Sequence, residues 1–585
     1  MRKLLKAFFL TAFLTVIGMI SANAATITVN TAVWETGAGA DCSLSEAITA
    51  ANTNAAFGGC PAGQVSPTVD NIAFNIPGAG TVKTIAVSSA IPTITEAVKI
   101  DATTQAGASC TTPGGLTVEL AASTGTASGF LVSGTADGTL IKGFVINRFP
   151  GYGIRFDTGA ALNSVVCNYI GTSVDGMADL GNGGSAISIS NAGTNTIGGT
   201  AAADRNLLSG NGEDGVRIED LGTGAPGNRI YGNIIGLNIA GTAAMPNAYG
   251  ISVSGADSTL IGDDIANGGN VISGNLQDGI LIILFGSNIP QNSLIQNNRI
   301  GTNLAGTVAR PNGARGIRLE QTVSTVVGGT TALSGNLISG NSNNGIEIAS
   351  ESTDTLIQAN WIGTDATGNL AIPNNGAGVF SSHSEGTLVG GNSVAVRNVI
   401  SGNISDGVVF TFCNTGTIQG NNIGTKANGS GVLGNGQSGI FADRTNNLLI
   451  GGTATDQGNR ISGNHLRGVM ITGGLATTNI RILSNSIFDN DGIGIDIDGN
   501  GVTPNDPTDN DSGANGLQNF PVITTALTAN FITKISGTLN SRPNNSYRLE
   551  FFSSPLADPT GYGEGMVHMF STDVNTDSSG NASFN

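Results

Sequence analysis

From residue 153 onward the apolar positions fall into one short pattern, a Gly followed by apolar-x-apolar. It returns at Gly153, Gly215, Gly250, Gly279, Gly316, Gly345 and on to Gly494, with Ala186 in the Gly position once. Alternate steps between copies are 29 residues, and the others run from 32 to 37 until a final step of 26. The alternation predicts strands of three or four residues, with Val216/Ile218, Ile251/Val253 and Ile280/Ile282 facing one way and Arg217, Ser252 and Leu281 the other. So short a strand cannot bury its apolar face alone; stacking on the next coil does it.

Two longer anchors keep the same beat. Ile-Gly-Thr starts at Ile170, Ile235, Ile300, Ile362 and Ile423, and Ser-Gly-Asn at Ser209, Ser273, Ser339, Ser401 and Ser462, at intervals of 61 to 66. Each long repeat therefore holds two coils, one of fixed length and one carrying a loop that tolerates insertion. Those variable loops, at 171–185, 236–249, 301–315, 363–377 and 424–438, should emerge on one side of the molecule. The fold this predicts is all-β: a right-handed parallel β-helix of about twelve or more coils over 136–500, its hand following the general rule for parallel crossovers. Columns of Asn (Asn206, Asn270, Asn336, Asn398, Asn459, and the set from Asn211 to Asn464) read as an internal amide ladder rather than a ligand-binding row.

An open coil stack needs covers at its ends. Ser43-Leu44-Ser45-Glu46 reads as a capping box opening a helix through about Ala56, with Leu44, Ala47, Ile48 and Ala51 as its apolar face. It belongs to an N-terminal segment, 25–135, of cap and first irregular coils, with strands at 71–76, 81–85 and 97–101. After the coils come an Asp-rich junction, 501–530, and strands of a partial β-sandwich, 531–585, in which the chain is expected to stop short of a whole domain.

The first residues place this solenoid outside the cytoplasm. Arg2, Lys3 and Lys6 precede an apolar run from Leu10 to Ile20 and the small-residue end Ala22-Asn23-Ala24, the layout of a signal peptide spanning 1–24. No later stretch is long and apolar enough to cross a membrane. Without that segment the chain carries 21 basic and 41 acidic residues, a balance of −20 that argues against nucleic acid as a partner. Of the five cysteines, Cys42 and Cys60 are candidates for a loop-closing disulfide, though pairing is not legible in sequence.

One stretch resembles a known family. Cys42-Ser43-Leu44-Ser45-Glu46-Ala47 with Ala50-Ala51-Asn52, then Phe74-Asn75-Ile76-Pro77-Gly78 and Asp101-Ala102-Thr103-Thr104-Gln105, resembles the N-terminal region of bacterial CSLREA-domain proteins, with Ser45 where the family motif has Arg. The resemblance implies export and a β-helix of the pectate-lyase type; the family's functions are largely unassigned, so it implies no chemistry.

Candidate chemistry is sparse. Asp496-x-Asp498-x-Asn500-Gly501 and Asp509-x-Asp511-x-Gly513 resemble calcium loops, but Pro507 stands where the first needs its Glu, and Asp496 alternates with Ile as in a strand. Turn carboxylates capping local backbone are the competing reading. No Gly-His-Gly segment exists, and His383, His465 and His568 have no sequence partner for catalysis. Asp214, Asp278 and Asp406 share a column but lie on separate coils, and turn geometry accounts for them. What rises above the repeat is an outward column that turns apolar at Phe380, Val409, Phe441 and Met470, a stripe of about 15 Å. Either a loop or the C-terminal unit packs over it, or it docks a glycan or a partner chain. The preferred function is an exported, noncatalytic protein that binds glycan or mediates adhesion along its rod. A polysaccharide lyase or glycoside hydrolase with its site under the variable loops is the alternative.

Overall fold

The computed structural model describes residues 24–585 apart from 38, 124–126 and 223–225; the signal segment lies outside the described residues but for Ala24. The chain winds as a right-handed parallel β-helix with three sheets of 15, 14 and 13 strands. Counting the longest sheet, the stack exceeds the twelve coils read from sequence and spans about 65–70 Å. The excess lies at the front. Thr26–Val29 is already a strand, paired in parallel with Asp70–Phe74, so the first coil begins before the capping helix.

Register puts like on like. In the third sheet Val216, Ile251, Ile280, Ile317 and Ile346 are successive partners, and each is fully buried. The two sequence anchors touch each other across adjacent coils, which explains why both persist. Gly171 has φ +95°, and a Cβ there would lie 2.2 Å from the Ser209 carbonyl oxygen. Gly236, Gly301, Gly363 and Gly424 repeat that close approach on the next serine of the stack. The serine hydroxyl completes the joint: Ser209 Oγ donates to the Leu237 carbonyl (2.8 Å) and accepts from Gly236 N (3.0 Å).

The Asn columns are ladders, with twice the rungs visible in sequence. Asn233, Asn298, Asn360, Asn421 and Asn485 fill the intervening coils of the first column. At Asn298 the side-chain oxygen accepts the backbone and side-chain N–H of Asn270, one coil earlier, while Nδ2 donates to Asn336 and to the Ile261 carbonyl, a pattern that recurs along the column.

Both ends are closed. The capping helix, Leu44–Thr53, opens with the full Ser43/Glu46 box and ends at Asn54 in the left-handed region. Glu46 is fully buried and accepts from Gly37 N and Ser43 N, and a Cys42–Cys60 disulfide ties the helix base. A second disulfide, Cys110–Cys167, was not legible in the sequence; Cys413 is a buried free thiol. At the far end, Val522–Ala529 pairs antiparallel with Ile532–Asn540, so the antiparallel unit takes in residues read as junction. Its hairpin, Ser546–Ser553 with Val567–Asn575, finishes the second ladder, where Glu564 accepts from Asn490 Nδ2 (3.0 Å), and Glu550 accepts from Ser484 Oγ (3.0 Å) beside the last rung of the first. Burial pushes the Glu564 carboxyl above its ordinary range.

Candidate functional site

The outer face of the third sheet falls into two halves. In the charged half the arginines are committed to carboxylates: Arg318 to Glu320 (2.7 Å), Arg315 to Glu347 (2.9 Å), and Arg217 to both Glu213 and Glu219. Asp214, Asp278 and Asp406 sit just ahead of their strands, and each accepts the backbone N–H of the equivalent residue one coil on, Tyr249, Arg315 and Ser438. They staple coils, as turn geometry suggested. Burial raises all three carboxyls above the ordinary 3.8.

The sign of the consequence follows from that direction. As pH rises from below 3.8 through the raised values, the folded chain gives up protons that the unfolded chain has already lost, so these groups withdraw stability in that window. The triple variant Asp214→Asn/Asp278→Asn/Asp406→Asn keeps an oxygen for each N–H and cannot titrate. Its unfolding free energy, measured in urea, should therefore gain on wild type as pH rises above the ordinary carboxyl value of 3.8. A gap that stays constant with pH would show that the three carboxyls are unperturbed.

The apolar half is one continuous column. Glu347, Phe380, Val409, Phe441, Met470 and Asp496 are successive partners across five strand pairs. Phe380, Phe441 and Met470 are half-buried, while Val409, shut between the two phenylalanines, is 5% exposed. The turn at Gly499 closes over Met470.

Beside the column runs a feature that sequence reading missed. His383 stacks on Phe412 at 4.8 Å and 12°, and the Arg444 guanidinium lies 5.0 Å over the other side of Phe412. Phe412 is 42% exposed, and all three residues hold φ near +50°, an uncommon region for bulky side chains. Each stands three positions after the outward residue of its coil, the one signal by which they could have been found. Together the two rows form an aromatic strip along four coils.

The acidic candidates part ways. Asp496 is fully buried and paired with Arg467 Nε (2.9 Å), with Gly501 N on its oxygens, and Asp498 and Asn500 are exposed. That loop is thus an ion-paired strand end instead of an assembled cation site, because the Ile495–Ile497 alternation turns Asp496 onto the sheet face. Asp509 and Asp511 do converge, with Asp506 as a third member the sequence pattern did not include, their oxygens within 4.8 Å of one another. These are ligands of the type a calcium ion takes. Asp509 already accepts from Asn519 N and Ser541 Oγ, and burial together with Asp506 and Asp509 pushes the Asp511 carboxyl up.

Fold and surface define the class: a disulfide-bearing parallel β-helix closed at both ends, a construction for an oxidising, extracytoplasmic compartment. No protein-family model and no curated protein matches the chain. Among solved structures it is similar to the periplasmic alginate epimerase AlgG (12% identity over 74% of this chain and 79% of that one, TM-score 0.34). It is also similar to the A-module of the Azotobacter vinelandii mannuronan C-5 epimerase AlgE6 (11%, 79% and 95%, TM-score 0.37). A third is the Dettilon tailspike protein gp208 (13%, 88% and 84%, TM-score 0.35). At such identities and TM-scores these likenesses carry no argument about site or activity. Among the described residues, no helix is long and apolar enough to cross a membrane.

Proposed function

We propose that this protein is an exported rod of the CSLREA-bearing kind that holds a glycan along the outer face of its third sheet without cleaving it. The observation that carries the reading is the in-register column Phe380–Val409–Phe441–Met470 beside the His383–Phe412–Arg444 stack. Sugar rings present apolar C–H faces with hydroxyls at their edges. A half-buried aromatic strip bordered by ion pairs meets both demands over the length of several residues of a linear chain. The noncatalytic part of the proposal gives the neighbouring carboxylates to the fold: Asp214, Asp278 and Asp406 each accept the backbone N–H of the next coil, as staples between coils. In the same proposal, 25–135 is the cap and first coils, 136–500 the rod, and 501–585 the junction and closing unit.

A glycan array probed with the protein should give signal on at least one polysaccharide, and Phe380→Ala/Phe441→Ala should reduce it by about fivefold or more, each lost stacking contact contributing roughly 0.5–1.5 kcal/mol. Incubating positive glycans with the protein should release no unsaturated or reducing ends. Signal indifferent to the two phenylalanines would remove the strip from the claim, and product release would replace binding with catalysis.

A further inference from the structure

The variable loops do more than protrude: they lie down over the second sheet. Val174, Ile239 and Leu304 pack on Tyr169, Leu207 and Ile234, and the loop glycines Gly176 and Gly306 press against Leu207 and Leu337. The last of these loops places Gly429 against Asn422 and Arg460. Strict alternation calls for another long loop after Ser486–Phe488, but there the connection shortens and the step to Gly494 is only 26 residues. Where that sixth loop is missing, the outer face of the second sheet is left open as a cavity of about 250 Å³.

Two guanidinium groups line it. Arg397 and Arg460 come from coils two apart, about 10 Å of stack. The cavity is otherwise polar, with Asn421, Asn428, Ser484 and Ser486 among its walls. Nine arginines take part in the ion pairs among the described residues; Arg397 and Arg460, like Arg205, Arg229, Arg299, Arg310 and Arg481, are in none of them, and of these only Arg397 and Arg460 line the cavity. Arg397 spends Nε on the Gly420 carbonyl (2.9 Å), a structural task that Arg205 repeats on Gly232. Arg460 lies over the Phe488 ring at 4.6 Å, and its Nε is buried with no hydrogen-bond partner. Burial and the facing Arg397 both work against the Arg460 charge, which Asp489 favours from beyond ion-pair distance. Nearby, Glu550 is taken up by Arg548 and Ser484. In a chain of net charge −17, two like charges are thus held beside one cavity with a buried donor to spare.

We propose that the cavity left by the missing loop is a subsite for one oxyanion, a carboxylate or a sulfate ester on a sugar, gripped between Arg397 and Arg460. Planar guanidinium donors match both groups in forked geometry, and the cavity suits a single acidic substituent better than a drug-sized ligand. The oxyanion chemistry stands on the two arginines; that a glycan carries it rests on the reading above.

Calorimetric titration of the full chain with an oligogalacturonate, a sulfated galactan oligosaccharide and the carboxyl-reduced, neutral form of the first decides it. At least one acidic oligosaccharide should bind about tenfold or more tighter than the neutral one, and the preferred one tells carboxylate from sulfate. Arg460→Gln should abolish the preference and Arg460→Lys restore part of it. Because Arg460 Nε makes no hydrogen bond within the protein, Arg460→Gln should melt within a few degrees of wild type, and inorganic sulfate should raise the melting temperature of wild type more than that of the variant. Equal affinity for acidic and neutral chains, or a preference that survives Arg460→Gln, overturns the oxyanion site and leaves glycan binding standing. If no oligosaccharide binds but sulfate still distinguishes the two proteins, the glycan reading fails and the anion site stands. If neither responds, both are wrong.

Discussion

Replacing Asn298 by Ala lowers the unfolding free energy by about 3–5 kcal/mol, the largest effect expected of any single polar residue in the rod. Asn298 Oδ1 accepts from Asn270 N (3.0 Å) and Nδ2 (2.9 Å), and its own Nδ2 donates to Ile261 O (2.8 Å) and Asn336 Oδ1 (3.0 Å). All of this occurs at a residue 1% exposed, inside a stack where neighbouring rungs are equally dry. Truncation removes four hydrogen bonds and strands the Asn270 N–H, an orphaned donor costing about 1–3 kcal/mol, while the Ile261 carbonyl keeps only its bond from Gln296 N. Coils contact only their neighbours, so the damage stays local in structure but lowers the cooperativity of the whole stack. Urea unfolding of the variant against Asn392→Ala, an exposed Asn, makes the comparison; the control should stay within about 0.5 kcal/mol of wild type. A loss under about 1 kcal/mol at Asn298 would mean that apolar stacking alone holds the coils in register.

Ile48→Asp should unseat the front cap. Ile48 is fully buried in the common core, on a helix that packs against the strands Thr26–Val29 and Asp70–Phe74. A carboxylate there has no partner within the core, so the helix lifts at a cost of about 3–5 kcal/mol rather than bury the charge. Lifting it bares the terminal edge of a 15-stranded parallel sheet, a ready template for a second chain. The expected result is concentration-dependent assembly in size-exclusion chromatography with light scattering, with the Cys42–Cys60 bridge intact. A variant that stays monomeric and melts like wild type would show that the helix merely decorates the first coil.

What could be read from sequence, and what could not, follows from how each feature is encoded. Ile-Gly-Thr and Ser-Gly-Asn were legible because backbone approach leaves no freedom at Gly171 or Ser209. Half the ladder was hidden, since Asn233 and Asn298 occupy coils whose flanking residues vary. The outward column was legible by counting along strands, but the His383–Phe412–Arg444 stack sits in turns, where side-chain direction depends on a positive φ that the sequence does not announce. Asp506 escaped because convergence with Asp509 and Asp511 depends on the path of the chain rather than on spacing. Arg397 and Arg460 lie 63 positions apart and come together through coil stacking; that a cavity stays open beside them was signalled only by the anomalous 26-residue step.

The claim at the centre is that binding belongs to the third sheet's aromatic strip. It is tested most directly by titrating the array-selected glycan onto wild type, Phe380→Ala/Phe441→Ala, and Leu356→Ala/Leu388→Ala, an adjacent apolar pair on the outer face of the first sheet. The account predicts affinity at least about fivefold weaker for the phenylalanine pair and within about twofold of wild type for the leucine pair. Equal losses in both variants, or none in either, would contradict it.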